Sequence, residues 1–184
     1  MKIILGSNSP RRKQLLQEMG YDFEVRVADT DESFPKNLSL SEVAMHVAKN
    51  KAIALAGELE ADEVLITADT IVCVDEQILG KPKDKTEATM MLRLLSGKSH
   101  LVITGVCLVK NGLISTESCT TKVIFKELSD QEISYYIDNY KPFDKAGSYG
   151  IQEWIGAIGI VAIEGSYNNV VGLPTHVIHK MLNK

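Results

Sequence analysis

Apolar positions along the chain switch between a period of two and a period near 3.6, which predicts strands interleaved with helices. Residues 1–5, apolar but for Lys2, read as a short buried strand, after which Gly6 permits a sharp turn. Ser9 is placed as a helix N-cap and Pro10 suits the first helical position. Leu15, Leu16 and Met19 form the buried stripe of that helix, and Gly20 closes it. Residues 21–27 alternate like a strand, and the polar stretch 28–37, with Pro35, reads as a loop. Ser39 and Glu42 have capping-box spacing at the head of a helix reaching about residue 58. Its apolar residues include Val43, Val47, Ala48, Ile53 and Ala54. Residues 64–74 carry the strongest strand signal, followed by a turn at 75–77 and an extension at 78–79. A helix is expected over 86–95, then two long strands, 100–109 and 113–125, joined by an Asn111-Gly112 hairpin turn. Ser129 and Glu132 repeat the capping box and open a helix to about residue 140, where Pro142 breaks the pattern. Residues 158–163 read as a strand, 165–174 as a glycine-bounded connector, and 173–182 as a closing helix with Pro174 in its first turn. The alternation, together with the hairpin, predicts an α/β fold with a mixed sheet flanked by helices.

At 184 residues the chain is expected to be one large domain, 1–184, of two lobes. Hydrophobic content of 45% and charged content of 24% are those of an ordinary globular protein. A net charge of −4 disfavours non-specific nucleic-acid or membrane binding, and no apolar run reaches membrane-spanning length. Cys73, Cys107 and Cys119 have no metal-ligand spacing, nor have the four histidines; His176 and His179 are expected on a helix surface. Free cysteines and the lack of a secretory signal pattern point to a reduced, cytoplasmic setting.

Three stretches break the ordinary pattern. Arg11 and Arg12 sit in the first turn of a helix, where cations oppose the macrodipole by roughly 0.3–1 kcal/mol each when exposed. A bound phosphate would reverse that cost, using free backbone N–H groups, the Ser7 and Ser9 hydroxyls and both guanidiniums; the alternative is an exposed basic pair on an ordinary helix. Asp69 lies in the middle of an apolar strand, which is costly unless the carboxylate meets a cation, a divalent metal or water. The stretch 144–152, DKAGSYGIQ, combines two glycines, the opposed charges of Asp144 and Lys145, and Gln152, whose amide could face a base. Glu32 lies in the acidic loop, Lys51 in the second helix and Lys81 between Gly80 and Pro82. Arg11, Arg12, Lys51, Lys81 and Lys145 could together meet a triphosphate. Glu32 and Asp69 would repel it unless a Mg²⁺-type ion, held by one or two carboxylates plus phosphates and waters, lay between.

The stretches SNSPRRKQLL (7–16), ADTIV (68–72), LGKP (79–82), LSGKSHLVITGV (95–106), DKAGSYGIQ (144–152) and GSYNNVVGLP (165–174), with Glu32 and Lys51, span nearly the whole chain in order. In this set the chain resembles the Maf family, also called septum-formation inhibitor proteins, of the inosine-triphosphate-pyrophosphatase-like superfamily. The resemblance implies an elongated twisted mixed sheet in two lobes with a cleft between them, and in many members a homodimer. It implies a nucleoside triphosphate pyrophosphatase in which water attacks the α-phosphate, with Mg²⁺ or Mn²⁺ as cofactor. Asp69 matches the residue assigned as proton acceptor, with metal ligation as its alternative role, and Glu32 matches an acidic metal-side residue. Lys51 and Lys81 match catalytic cations; Ser7, Arg11 and Arg12 match a phosphate-facing loop; Asp144 and Lys145 match a second-lobe pair. Arg12, Thr70 and Gln152 match the branch acting on dTTP and UTP, and an amide at 152 offers the donor and acceptor that a uracil or thymine edge requires. The alternatives are the branch acting on 7-methyl-GTP and a non-catalytic, nucleotide-binding regulator of septum formation.

Overall fold

The structure, a computed structural model, describes residues 1–184. Seven strands, β1 (Lys2–Leu5), β2 (Phe23–Val25), β3 (Glu63–Val74), β4 (Gln77–Leu79), β5 (Ser99–Lys110), β6 (Leu113–Phe125) and β7 (Ile160–Glu164), form one sheet in the order β2-β1-β3-β5-β6-β7, with β4 paired to β3. The sheet is mixed as expected: β1 runs parallel to β2 and β3, whereas β3–β4 and β6–β7 are antiparallel. The helices are α1 (Pro10–Glu18), α2 (Leu40–Ala56), α3 (Lys85–Leu95), α4 (Asp130–Tyr140), α5 (Trp154–Gly159), α6 (Tyr167–Val171) and α7 (Thr175–Leu182). None is long and apolar enough to cross a membrane.

Backbone packing divides the chain into two compact units. The first comprises Met1–Thr70, Ile103–Cys119 and Gly172–Lys184; the second comprises Ile71–Val102 and Thr120–Val171. In the first, Ala48, Ala52 and Leu55 of α2 bury against Ile4, Leu65, Cys107 and Val109. Gly105 makes close packing of α2 possible, because a Cβ there would lie 2.3 Å from the Ala44 carbonyl carbon. Ile53 faces solvent instead, since the buried stripe 44–48–52 turns it away. In the second unit, Leu92 and Leu95 of α3 and Ile133, Tyr136 and Ile137 of α4 pack on Val72, Val102, Val123 and Phe125.

Local chemistry explains most boundaries. Ser9, Ser39, Asp84 and Ser129 each cap a helix with their side chain, and both expected capping boxes form. Asn111 and Gly112 both have positive φ, as the two-residue hairpin turn requires. Three expectations need correction. The second strand covers only Phe23–Val25, an edge strand with exposed Val25. Residues 154–159, of which only Ile158 and Gly159 belong to the expected strand, form α5. Gly156 permits its turn, because a Cβ there would fall 1.8 Å from the Ile151 carbonyl oxygen. The connector 165–174 contains α6, fixed by the buried Asn169, whose amide donates to the Val102 carbonyl and Thr121 Oγ1, both at 3.0 Å.

His100 is buried in the second unit, its Nε2 2.7 Å from the Tyr149 hydroxyl and its Nδ1 without a partner. Its ring meets Phe125 and Tyr149 edge-on. Burial lowers its pKa from 6.5 to about 4. The folded imidazole therefore stays neutral where the unfolded one takes up a proton. Its contribution to stability is whole above pH 6.5 and falls by about 1.4 kcal/mol per pH unit down to about pH 4. Urea denaturation across that window should show a shallower pH slope for His100→Gln than for the native chain.

Candidate active site

Within the first unit the candidate residues converge on the middle of β3. The strand is buried on either side of Asp69 and Thr70, which are themselves only half-buried. Lys51 reaches from α2 and places Nζ 2.7 Å from Asp69 Oδ1 and 2.7 Å from Glu32 Oε1. One ammonium thus holds two carboxylates that lie far apart in sequence, which answers the desolvation cost expected of Asp69. The two oxygens are hard donors already gathered on one cation, a set that suits Mg²⁺ or Mn²⁺. No group of three or more His, Cys, Asp or Glu side chains is arranged to hold a metal. A divalent ion at Glu32 and Asp69 would therefore need water or substrate oxygens to complete its shell.

Arg12 lies beside this group and is engaged by the protein itself. Its Nε donates to the Gly172 carbonyl at 2.8 Å and Nη1 to the Ala68 carbonyl at 2.8 Å. Nη1 also donates to Ser7 Oγ at 3.3 Å, and Nη2 to Thr70 Oγ1 at 3.2 Å. Four of the five guanidinium N–H groups are accounted for this way. Burial lowers the Arg12 pKa, with nearby Asp69 opposing the shift; the charge persists at neutral pH. Ser7 Oγ also accepts from the Ser9 amide at 3.2 Å, and Thr70 Oγ1 pairs with Thr104 Oγ1 at 2.9 Å. Arg11 is half-buried in the same helical turn as Arg12 and acts on it electrostatically. Sequence reasoning missed Thr104 and the Gly172 carbonyl, because neither has a local pattern that marks it.

The second unit gathers the remaining candidates. Lys81 is exposed just beyond β4, and the preceding Gly80 carbonyl accepts from the Gly147 amide at 3.0 Å, tying the two loops together. Lys145 is buried, with Nζ 2.8 Å from Asp144 Oδ1 and 3.0 Å from Glu153 Oε1. Gln152 is exposed. Glu153, and Tyr136 which donates to it, were not picked out in the sequence. The adjacency of Glu153 to Gln152 was the available signal.

The Arg12 geometry has a measurable consequence. Lysine keeps the charge but cannot reach four acceptors in a plane. Arg12→Lys should cost about 1–3 kcal/mol in urea denaturation by leaving buried carbonyl and hydroxyl groups unpaired. An Arg12 acting only as an outward phosphate ligand would leave stability unchanged.

Comparison with known proteins gives the family. The family described as "Maf-like protein" matches residues 2–184. The dTTP/UTP pyrophosphatase of Phocaeicola vulgatus is 52% identical over 184 residues, covering 100% of this chain and 95% of the relative. That of Flavobacterium psychrophilum is 51% identical over 181 residues, covering 98% and 93%. Among solved structures, the Staphylococcus aureus Ham1 protein matches with a TM-score of 0.56 at 15% identity, covering 100% of this chain and 98% of that one, a likeness of fold. With a family match over nearly its full length and relatives at half identity throughout, the chain belongs to the Maf-like protein family.

Proposed function

We propose that the chain is a nucleoside triphosphate pyrophosphatase that converts dTTP and UTP to the monophosphate and pyrophosphate. The observation that carries the reading is the Glu32–Lys51–Asp69 group, in a chain half-identical to relatives named for that activity. A nucleotide-binding regulator would have no need to keep two carboxylates converged on one cation. In the reaction, the oxygen of a water attacks the α-phosphorus while the bond from that phosphorus to the α–β bridging oxygen breaks. Pyrophosphate leaves with the electron pair.

Each residue then has a role set by its chemistry. Asp69 Oδ1 faces Lys51, and Oδ2 is the oxygen left to take the proton of the attacking water. Glu32 would hold a Mg²⁺ or Mn²⁺ ion, which would polarise the phosphoryl group and offset the charge of the triphosphate; ligation of that ion by Asp69 is the alternative to its role as proton acceptor, because a carboxylate on a cation is a poor base. In the first unit Lys51, released from that carboxylate pair, and Arg11 are the cations assigned to the phosphates, with the Ser7 hydroxyl as a further donor; in the second unit the exposed Lys81 is the cation assigned to the same task. Arg12 fixes Ala68, Thr70 and Gly172 around Asp69. Lys145, Asp144 and Gln152 serve the nucleoside end, with the Gln152 amide matching the donor and acceptor of a pyrimidine edge. A cytoplasmic setting and a homodimer fit the reading.

A panel of nucleotides assayed for pyrophosphate release with Mg²⁺ or Mn²⁺ tests it. UTP and dTTP should release pyrophosphate rather than orthophosphate, ahead of 7-methyl-GTP. Asp69→Asn should lower kcat at least about a hundredfold while the melting temperature stays close to that of the native chain. Retained turnover in that variant would remove Asp69 from the chemistry, and release from no nucleotide would favour the regulator.

A further inference from the structure

Residues 144–153 of the second unit close into a ring, and the closing groups are Glu153 and Tyr136. The ring contains two consecutive left-handed residues, Gly147 (φ 68°) and the non-glycine Ser148 (φ 65°), a conformation that must be held from outside. Glu153 uses both carboxylate oxygens to hold it. Oε1 accepts from Lys145 Nζ at 3.0 Å, and Oε2 accepts from the Tyr136 hydroxyl. That hydroxyl in turn accepts from the Gly150 amide at 3.0 Å, and the Glu153 amide donates to the Gly150 carbonyl at 3.1 Å.

Three features separate this clamp from ordinary loop packing. Glu153 is the N-cap of α5 but makes no side-chain capping bond, unlike Ser9, Ser39, Asp84 and Ser129. Its carboxylate is spent on Lys145 and Tyr136 instead. Gly150 leaves room for the contact, since a Cβ there would lie 2.9 Å from Glu153 Cδ and 3.1 Å from Lys145 Cε. Of the two carboxylates on Lys145, Asp144 has a side chain 55% exposed and Glu153 one 21% exposed, and the Tyr136 behind Glu153 is fully buried. Glu153 is therefore the fixed partner.

We infer that Glu153, anchored by the Tyr136 hydroxyl, is the positioning residue that sets Lys145 and its chain neighbour Gln152 for the nucleoside, and so governs substrate KM and base discrimination. The inference rests on the proposed pyrophosphatase reading. It gives Tyr136, which does not reach substrate, a role in selectivity exerted through Glu153.

Kinetics of the full chain with UTP and CTP separate positioning from mere support. Tyr136→Phe removes only the hydroxyl. It should raise the KM for UTP about tenfold and reduce the preference for UTP over CTP, with kcat within about twofold. Glu153→Gln, which keeps an oxygen for Lys145, should show a smaller rise in KM. A folded Tyr136→Phe with native KM and native UTP preference would overturn the inference, as would a fall in kcat at unchanged KM. Equilibrium titration with UTP in the absence of metal gives a second reading that does not need turnover. If the native chain released no pyrophosphate from any nucleotide, the functional reading would fail. Weakened UTP binding by Tyr136→Phe would then still support the clamp, and unchanged binding would refute it.

Discussion

An ionised carboxylate placed inside a buried strand has to be neutralised locally or it unfolds the strand around it. Asp69 imposes that constraint on β3, a strand hydrogen-bonded to β1 and β5 and packed with Leu65, Ile66, Ala68, Ile71 and Val72. Lys51 meets it from α2, and Glu32 joins from the loop after β2. The geometry of the first unit follows from this demand. Helix α2 must approach closely, which Gly105 permits against the Ala44 backbone. The strand must hold its line at Ala68 and Thr70, which the Arg12 guanidinium secures. A stabilising ion pair alone would be poor reason to keep such a group, because a buried pair gains little over apolar packing of the same volume.

The same motif, one ammonium between two carboxylates, occurs in each unit: Glu32–Lys51–Asp69 and Asp144–Lys145–Glu153. Their surroundings differ in a way that suits different tasks. Glu32 belongs to an exposed loop, with a side chain 53% exposed, so it can change partner at small cost. Glu153 is pinned by the fully buried Tyr136 and cannot. Each group carries one net negative charge. Neither attracts a polyphosphate unaided, so the proposed reading needs further positive charge at either group.

Much of this was readable from the chain because it rests on local rules. Ser39 with Glu42, Ser129 with Glu132, and Asn111-Gly112 act within a few residues, and all form as their spacing implies. Asp69 could be singled out because a charge in an apolar run is anomalous wherever it occurs. What stayed hidden depends on contacts between distant residues. The conflict of Arg12 with the helix dipole is local and legible, whereas its bonds to Ala68, Thr70 and Gly172 exist only after the chain has folded. Helix α5 was missed because six residues rich in glycine and branched side chains carry too little periodicity to separate a single turn from a strand.

Glu153 shows how a local rule that fails can carry information. A Ser, Thr, Asp or Asn at an N-cap gives its side chain to the helix, a contribution of about 1 kcal/mol, as four of the helices here show. Here that stabilisation is forgone at the start of α5, while a left-handed serine and a side-chain-free Gly150 are tolerated nearby. Departures clustered within ten residues are costly together. They share one geometric result, a rigid ring with the buried Lys145 at one end and the exposed Gln152 at the other. Polar groups that cannot reorient leave a mismatched base with unpaired hydrogen bonds, which is how such a loop can discriminate between bases that differ only in the direction of a few of them.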